Sequence, residues 1–265
     1  MNKKFARLSE ADLLHCVHRL PDEVKAAVHT QKRRLVIAGG FIRSVIAGEK
    51  ISDVDLFVDQ RARAQAVAVQ IAGPEGRVSE TQNALTIAGR IPVQIITRWT
   101  FDSPQAVVAS FDFTIARAAI WFDGKRWHSA VDTRYYADLA AKRLVYMCPI
   151  RNEDAGGSML RVLKFYKRGY VIPVDSLGAV MARMSAALSP DALRGRGASR
   201  ERRIASELTA LLHEVDPQVD PDHIAHLPAE SANRVAARRA GKSGEPTWRK
   251  SARLESSAAR RRQSS

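Results

Sequence analysis

The sequence predicts an α/β (α+β) head built on a mixed β-sheet, followed by a small helical region and a disordered basic tail. Three observations carry that prediction. Short β-branched apolar runs that end at glycines alternate with helical repeats over the first 150 residues. Beyond Pro149 only helical patterns continue, and from Glu230 onward Ala, Ser and Arg dominate while large apolar residues nearly vanish. The expected boundaries are 1–150 for the head, 151–228 for the helical region and 229–265 for the tail.

Ser9 precedes a helical pattern of Leu13, Leu14 and Val17, and Pro21 opens a second run through Val24 and Val28, so two short helices lead the chain. RRLVIAGG then reads as a strand closed by two glycines, FIRSVIAGE as a helix with Ile42, Val45 and Ile46 on one face, and DVDLFV as a second buried strand. A helix follows over 61–72. Thr86–Ile87 and Ile91–Thr97 form a hairpin with AGR as its turn. ARAAIWF, flanked by FDFT, is a further strand, and TRYYADLAAKRL a short helix and exit. Helices are expected over 158–170, 176–188 and 199–213.

Two cysteines in unrelated contexts, Cys16 and Cys148, indicate neither a disulfide framework nor a thiolate zinc site. The chain lacks an apolar run of about 20 residues and a hydrophobic leader, which predicts a cytoplasmic protein without a membrane partner. The formal charge of +14 points to a polyanionic partner. Half of it sits in residues 230–265, where eight Arg and two Lys face three Glu, an excess of +7. With Val235, Trp248 and Leu254 as its only large apolar anchors, that segment reads as a disordered tail suited to non-specific contact with nucleic acid.

The chemistry concentrates in AGGFIRSVIAGEKISDVDLFV, residues 38–58. On a strand, positions i and i+2 share a face, so Asp53 and Asp55 project two carboxylates side by side. Such a pair repels unless a cation sits between its members, and Mg²⁺ or Mn²⁺ together with triphosphate oxygens suits it. Gly39 and Gly40 expose backbone at the start of a helix, where phosphates approach without a side chain in the way, and Arg43 lies one turn inside. A lone DxD also occurs on solvated strands, and a Gly-Gly pair is also a tight turn. The two in order, separated by one short helix, are far more specific.

GGFIRSVIAGEKISDVDLFV resembles the GGxVRD…DxD signature of the polymerase beta superfamily, in its branch of class II CCA-adding enzymes and poly(A) polymerases. FDFTIARAA at 111–119 is similar to that family's RRDFTINAL motif, and DLAAKRLVYM with MLRVLKFYKRGY at 138–147 and 159–170 is similar to its hinge segment and following helix. The resemblance implies metal ligation by Asp53 and Asp55, a triphosphate cradle from Gly39, Gly40, Ser52 and Arg43, a ribose contact from Asp112, and looser nucleotide contacts from Arg161 and Lys164. It implies a nucleoside triphosphate as substrate and an RNA 3′ end, tRNA included, as partner. Several positions depart from the pattern: Ser44 stands for an acid, Ser110 and Phe111 for two arginines, and Ser158 for the Asp of an EDxxR element whose Glu153 and Asp154 have moved upstream. Gln94 stands where many relatives carry a third carboxylate. The long helical body that grips tRNA is missing.

Three functions follow as expectations. The leading one is metal-dependent transfer of a nucleotide to an RNA 3′ hydroxyl. The second keeps the same head but is a toxin- or defence-type transferase that modifies tRNA or protein, or makes signalling nucleotides. The third is an inactive nucleic-acid-binding module, against which the retained DVD argues.

Overall fold

The structure, a computed structural model, describes residues 5–74, 76–81, 83–147 and 155–213. The chain divides into two units, Met1–Pro221 and Asp222–Ser265, and every described residue belongs to the first. Cys148, Glu153, Asp154, the expected boundary near 150 and the expected tail lie outside the described residues.

Helices α1 (Glu10–Arg19) and α2 (Asp22–Gln31) open the chain as the capping residues predict. Ser9 Oγ accepts from the Asp12 amide, and Pro21 stands at the cap of α2. Seven strands follow: β1 (Leu35–Ala38), β2 (Val54–Val58), β3 (Val78–Glu80), β4 (Ala84–Ile87), β5 (Val93–Ile96), β6 (Ala118–Phe122) and β7 (Trp127–Val131). They form one mixed sheet in the order β3-β4-β5-β2-β1-β6-β7, with β2 and β5 parallel and the other pairs antiparallel. Between them run α3 (Gly40–Ile46), α4 (Arg61–Ala72) and α5 (Pro104–Ser110), and after them α6 (Tyr135–Ala140), α7 (Ala155–Tyr166), α8 (Val174–Ala186) and α9 (Ala198–His213). Among the described residues no helix is long and apolar enough to cross a membrane.

Period-two alternation gives the sheet two apolar faces. Leu35, Ile37, Val54, Leu56, Val58, Leu85, Ile87, Val93 and Ile95 face the larger core, which α1, α2 and α4 cover. Cys16 is buried there, and burial first, then Asp12, pushes its thiol up to about 12. Val36, Ala38, Phe57, Ala119 and Trp121 face the smaller core, closed by Val107 and Val108 of α5. Trp121 is therefore a core residue. Val162, Phe165 and Tyr170 belong to the larger core, so α7 and its exit pack onto the sheet layer itself.

Three local expectations change. The β4–β5 hairpin spans 88–92 rather than AGR alone, because Ile87 pairs with Val93 and Pro92 has no N–H to extend the ladder; its carbonyl accepts from Val54 instead. FDFT does not join β6. Thr114–Ala116 is a 3₁₀ turn, held by a hydrogen bond from Thr114 Oγ1 to Asp138 Oδ2 at 2.7 Å. Helix α5 was not expected, although Ser103 followed by Pro104 is a capping signature: Ser103 Oγ accepts from the Ala106 amide and proline occupies the first turn.

Candidate active site

The turn from β1 into α3 and the start of β2 meet at one point. Gly39 has φ of 79°, a backbone region that favours glycine, and its amide donates to the Ala118 carbonyl at 3.0 Å. A Cβ added there would lie 2.9 Å from the Phe111 ring and 3.9 Å from Asp55 Oδ2. Only a bare backbone fits between that ring and that carboxylate. Asp55 pairs across β1 with Ala38 and across β5 with Gln94, so Asp55 and Gln94 stand side by side on the smaller-core face, above Phe57. Asp53, one residue before β2, projects to that same side by alternation. Both aspartates are half-buried, and Ser52 Oγ donates to Asp53 Oδ1 at 2.8 Å.

Arg43 does not extend toward this face. It is 4% exposed, donates from Nε to Glu49 at 3.4 Å and from Nη2 to Ser44 at 3.0 Å, and lies 4.8 Å from the centroid of the Phe165 ring. Tyr170 Oη donates to the other Glu49 oxygen at 2.7 Å, and burial first, then this bond, raises the tyrosine well above its ordinary value. Nothing in the sequence signals the Arg43–Glu49–Tyr170 network, because Tyr170 lies 121 positions from its partner. The cation that faces the aspartates comes from α7. Partial desolvation, then repulsion by Arg168, lowers the Lys164 ammonium from its ordinary value, while the charges of Asp53 and Asp55 pull it back up. Those carboxylates are thus within electrostatic reach of Lys164.

Asp112 and Arg161, expected as separate nucleotide contacts, form an ion pair at 2.7 Å. Asp112 is 6% exposed, and Ser158 Oγ donates to the same oxygen at 2.9 Å. Ser158, which replaces an acid of the family pattern, therefore serves as a donor to Asp112. A groove of about 790 Å³ on the larger-core side, between the α1–α2 junction, the end of α4 and the β4–β5 connection, contains none of the candidate residues.

Mg²⁺ commonly takes one or two carboxylates and completes its shell with phosphate oxygens and water. Asp53 and Asp55, half-exposed beside the side-chain-free Gly39, fit that donor set. Among the described residues no cluster of three or more His, Cys, Asp or Glu offers an all-protein cage.

Since glycine at 39 is required by both its φ and the ring above it, Gly39→Ala should destabilise the fold by about 2 to 4 kcal/mol. Pairing it with Phe111→Ala should recover the part due to the clash and leave the part due to backbone strain. Urea unfolding of the two single variants and the double variant measures the coupling; strictly additive losses would show that the ring and the glycine do not oppose each other.

The mixed sheet with a carboxylate pair beside a Gly-Gly turn is the head of the nucleotidyltransferase fold. The Thermotoga maritima CCA-adding enzyme complexed with tRNA has a similar structure, with a TM-score of 0.50 and 18% identity over 81% of this chain and 52% of that one. A CCA-adding enzyme complexed with ATP is similar to the same degree, covering 81% of this chain and 53% of that one. The chain spans about half the length of these enzymes. Residues 7–142 match the model of the Gabija anti-defense 2 family, and the chain belongs to that family. No curated protein matches it.

Proposed function

We propose that this chain transfers a nucleotidyl group from a nucleoside triphosphate to a hydroxyl acceptor, and that it does so in countering the Gabija defence named in its family's description. The observation that carries the reading is the pair of half-exposed carboxylates on one face beside Gly39. Asp53 and Asp55 would hold Mg²⁺ or Mn²⁺; an ion bound there neutralises triphosphate charge and eases deprotonation of the attacking hydroxyl. Gly39 and Gly40 leave the approach to these carboxylates free of side chains, and Ser52 orients Asp53 through its hydroxyl. Lys164 meets the triphosphate. Asp112 receives the ribose, and Arg161 acts through it as a positioning residue.

The roles separate in kinetics. Lys164→Ala should raise the KM for triphosphate about tenfold with kcat little changed, since it removes charge felt in ground state and transition state alike. Arg43→Ala should chiefly lower stability, because it leaves Glu49 half-paired and strips the face of Phe165. A kcat loss from Lys164→Ala that exceeds the KM change would move that residue into the chemical step.

The direct test is incubation of the full-length protein with Mg²⁺ and each α-labelled triphosphate in turn, in the presence of total RNA and of Gabija-containing extract, followed by denaturing gels. Label on a discrete acceptor supports transfer, and its mobility assigns RNA or protein. No label on any pool, with triphosphate still bound, returns the chain to a binding role.

A further inference from the structure

Beside Asp55 the sheet carries a polar row. The strand registers align Asp55 with Gln94, Gln94 with Thr86, and Thr86 with Ser79, across β2, β5, β4 and β3. Their sequence neighbours Leu56, Ile95, Leu85, Ile87 and Val78 pack in or against the larger core, so the row points to the opposite face. There α5 packs against β1, β6 and β7. Over the other half, Gln94 and Thr86 are half-exposed and Ser79, on the edge strand, is exposed.

We infer that this open half-face is where the acceptor lies, and that the acceptor is an extended polypeptide segment presenting a serine, threonine or tyrosine hydroxyl to Asp55. The inference rests on the nucleotidyl-transfer reading above and names its acceptor. Adjacent strands are about 4.8 Å apart, so Ser79 lies about 14 Å from Asp55, a distance that four or five extended residues span. The chemistry of the row selects the class. An amide and two hydroxyls offer both donors and acceptors, as a peptide backbone requires, whereas a phosphodiester strand presents acceptors and negative charge. Lys and Arg make up 42 of the 265 residues, yet the row contains neither. Its existing bonds are weak: Ser79 Oγ reaches only the Thr86 carbonyl, at 3.4 Å, and Thr86 Oγ1 has no partner among the described residues.

In the reaction the acceptor oxygen bonds to the α-phosphorus of the triphosphate while the bond from that phosphorus to the bridging oxygen breaks. Pyrophosphate leaves with the bonding electrons, and the hydroxyl proton passes to water. The product is a nucleotide joined to the side chain through a phosphodiester.

The test uses the full-length protein, Mg²⁺ and α-labelled triphosphates with two acceptor pools: unstructured peptides of about five to ten residues, each with one Ser, Thr or Tyr, and total RNA. Label should enter peptides. Ser79→Arg should raise the peptide KM about fivefold or more, and Thr86→Val about threefold, with triphosphate binding by equilibrium dialysis and the melting midpoint both near wild type. Label on RNA alone, strengthened by Ser79→Arg as an added cation would do, overturns the polypeptide acceptor while nucleotidyl transfer stands. Peptide labelling indifferent to both variants also overturns the inference, because it moves the acceptor off this face. No label on either pool sinks it too, and loss of triphosphate binding in the same samples shows that the transfer reading has fallen with it.

Discussion

Replacing Asp55 by Asn should lower nucleotidyl transfer by about two to three orders of magnitude and leave the fold in place. The substitution keeps the size of the side chain and its register against Ala38 and Gln94, but removes one of the two charges available to a divalent ion. Loss of a charged metal ligand costs several kcal/mol of transition-state stabilisation, and each 1.4 kcal/mol or so is a factor of ten. Stability should change little, for two opposing reasons. Neutralising Asp55 relieves its repulsion of Asp53, yet also weakens the attraction of both for Lys164. Asp53→Asn should behave alike. Single-turnover rates at saturating triphosphate, set beside thermal melts, check both halves of the expectation. Retention of more than about a tenth of wild-type turnover by either variant would sink the carboxylate-pair assignment.

The second large effect is expected far from the reacting atoms. Asp138→Ala should lower unfolding free energy by about 2 to 4 kcal/mol. Its carboxylate is fully buried and accepts from Thr114 Oγ1 at 2.7 Å and from Arg143 Nε at 2.9 Å, with Arg134 Nη2 at 3.4 Å. The two arginines are 40% and 53% exposed and can return to water, so their share is discounted. The fully buried Thr114 hydroxyl has no such recourse and accounts for much of the loss. Thr114 lies two residues from Asp112, so the variant should also loosen the turn that presents that carboxylate. Urea titration should show a lower midpoint at unchanged slope, and Asp138→Asn, which retains an acceptor for Thr114, should lose less. A loss under about 1 kcal/mol for Asp138→Ala would show that water replaces the carboxylate without penalty.

Sequence alone determined the features whose signals are local. Capping at Ser9, the proline at 21 and the apolar periodicities placed α1, α2, α3 and α4, because caps and faces are read within one or two turns. The carboxylates of DVD were legible for the same reason: alternation along one strand puts Asp53 and Asp55 together wherever that strand lies in the sheet. Local signals also misled where a partner distant in sequence prevails, as in FDFT, which turns rather than extends because Asp138 takes the Thr114 hydroxyl. Short strands such as β3, with three residues and one half-buried side chain, have too little apolar pattern to be read at all. Only the tertiary structure decided which cation faces which anion. Arg43, one turn from the glycines in sequence, is drawn under Phe165 and toward Glu49, while Lys164, more than a hundred residues from Asp53, is brought within its electrostatic reach. Arg161 is committed to Asp112, and Gln94 is set beside Asp55, by strand order and helix docking. A long flexible side chain can turn to any partner within several ångströms, so its partner is settled by the packing of the elements around it rather than by its neighbours along the chain.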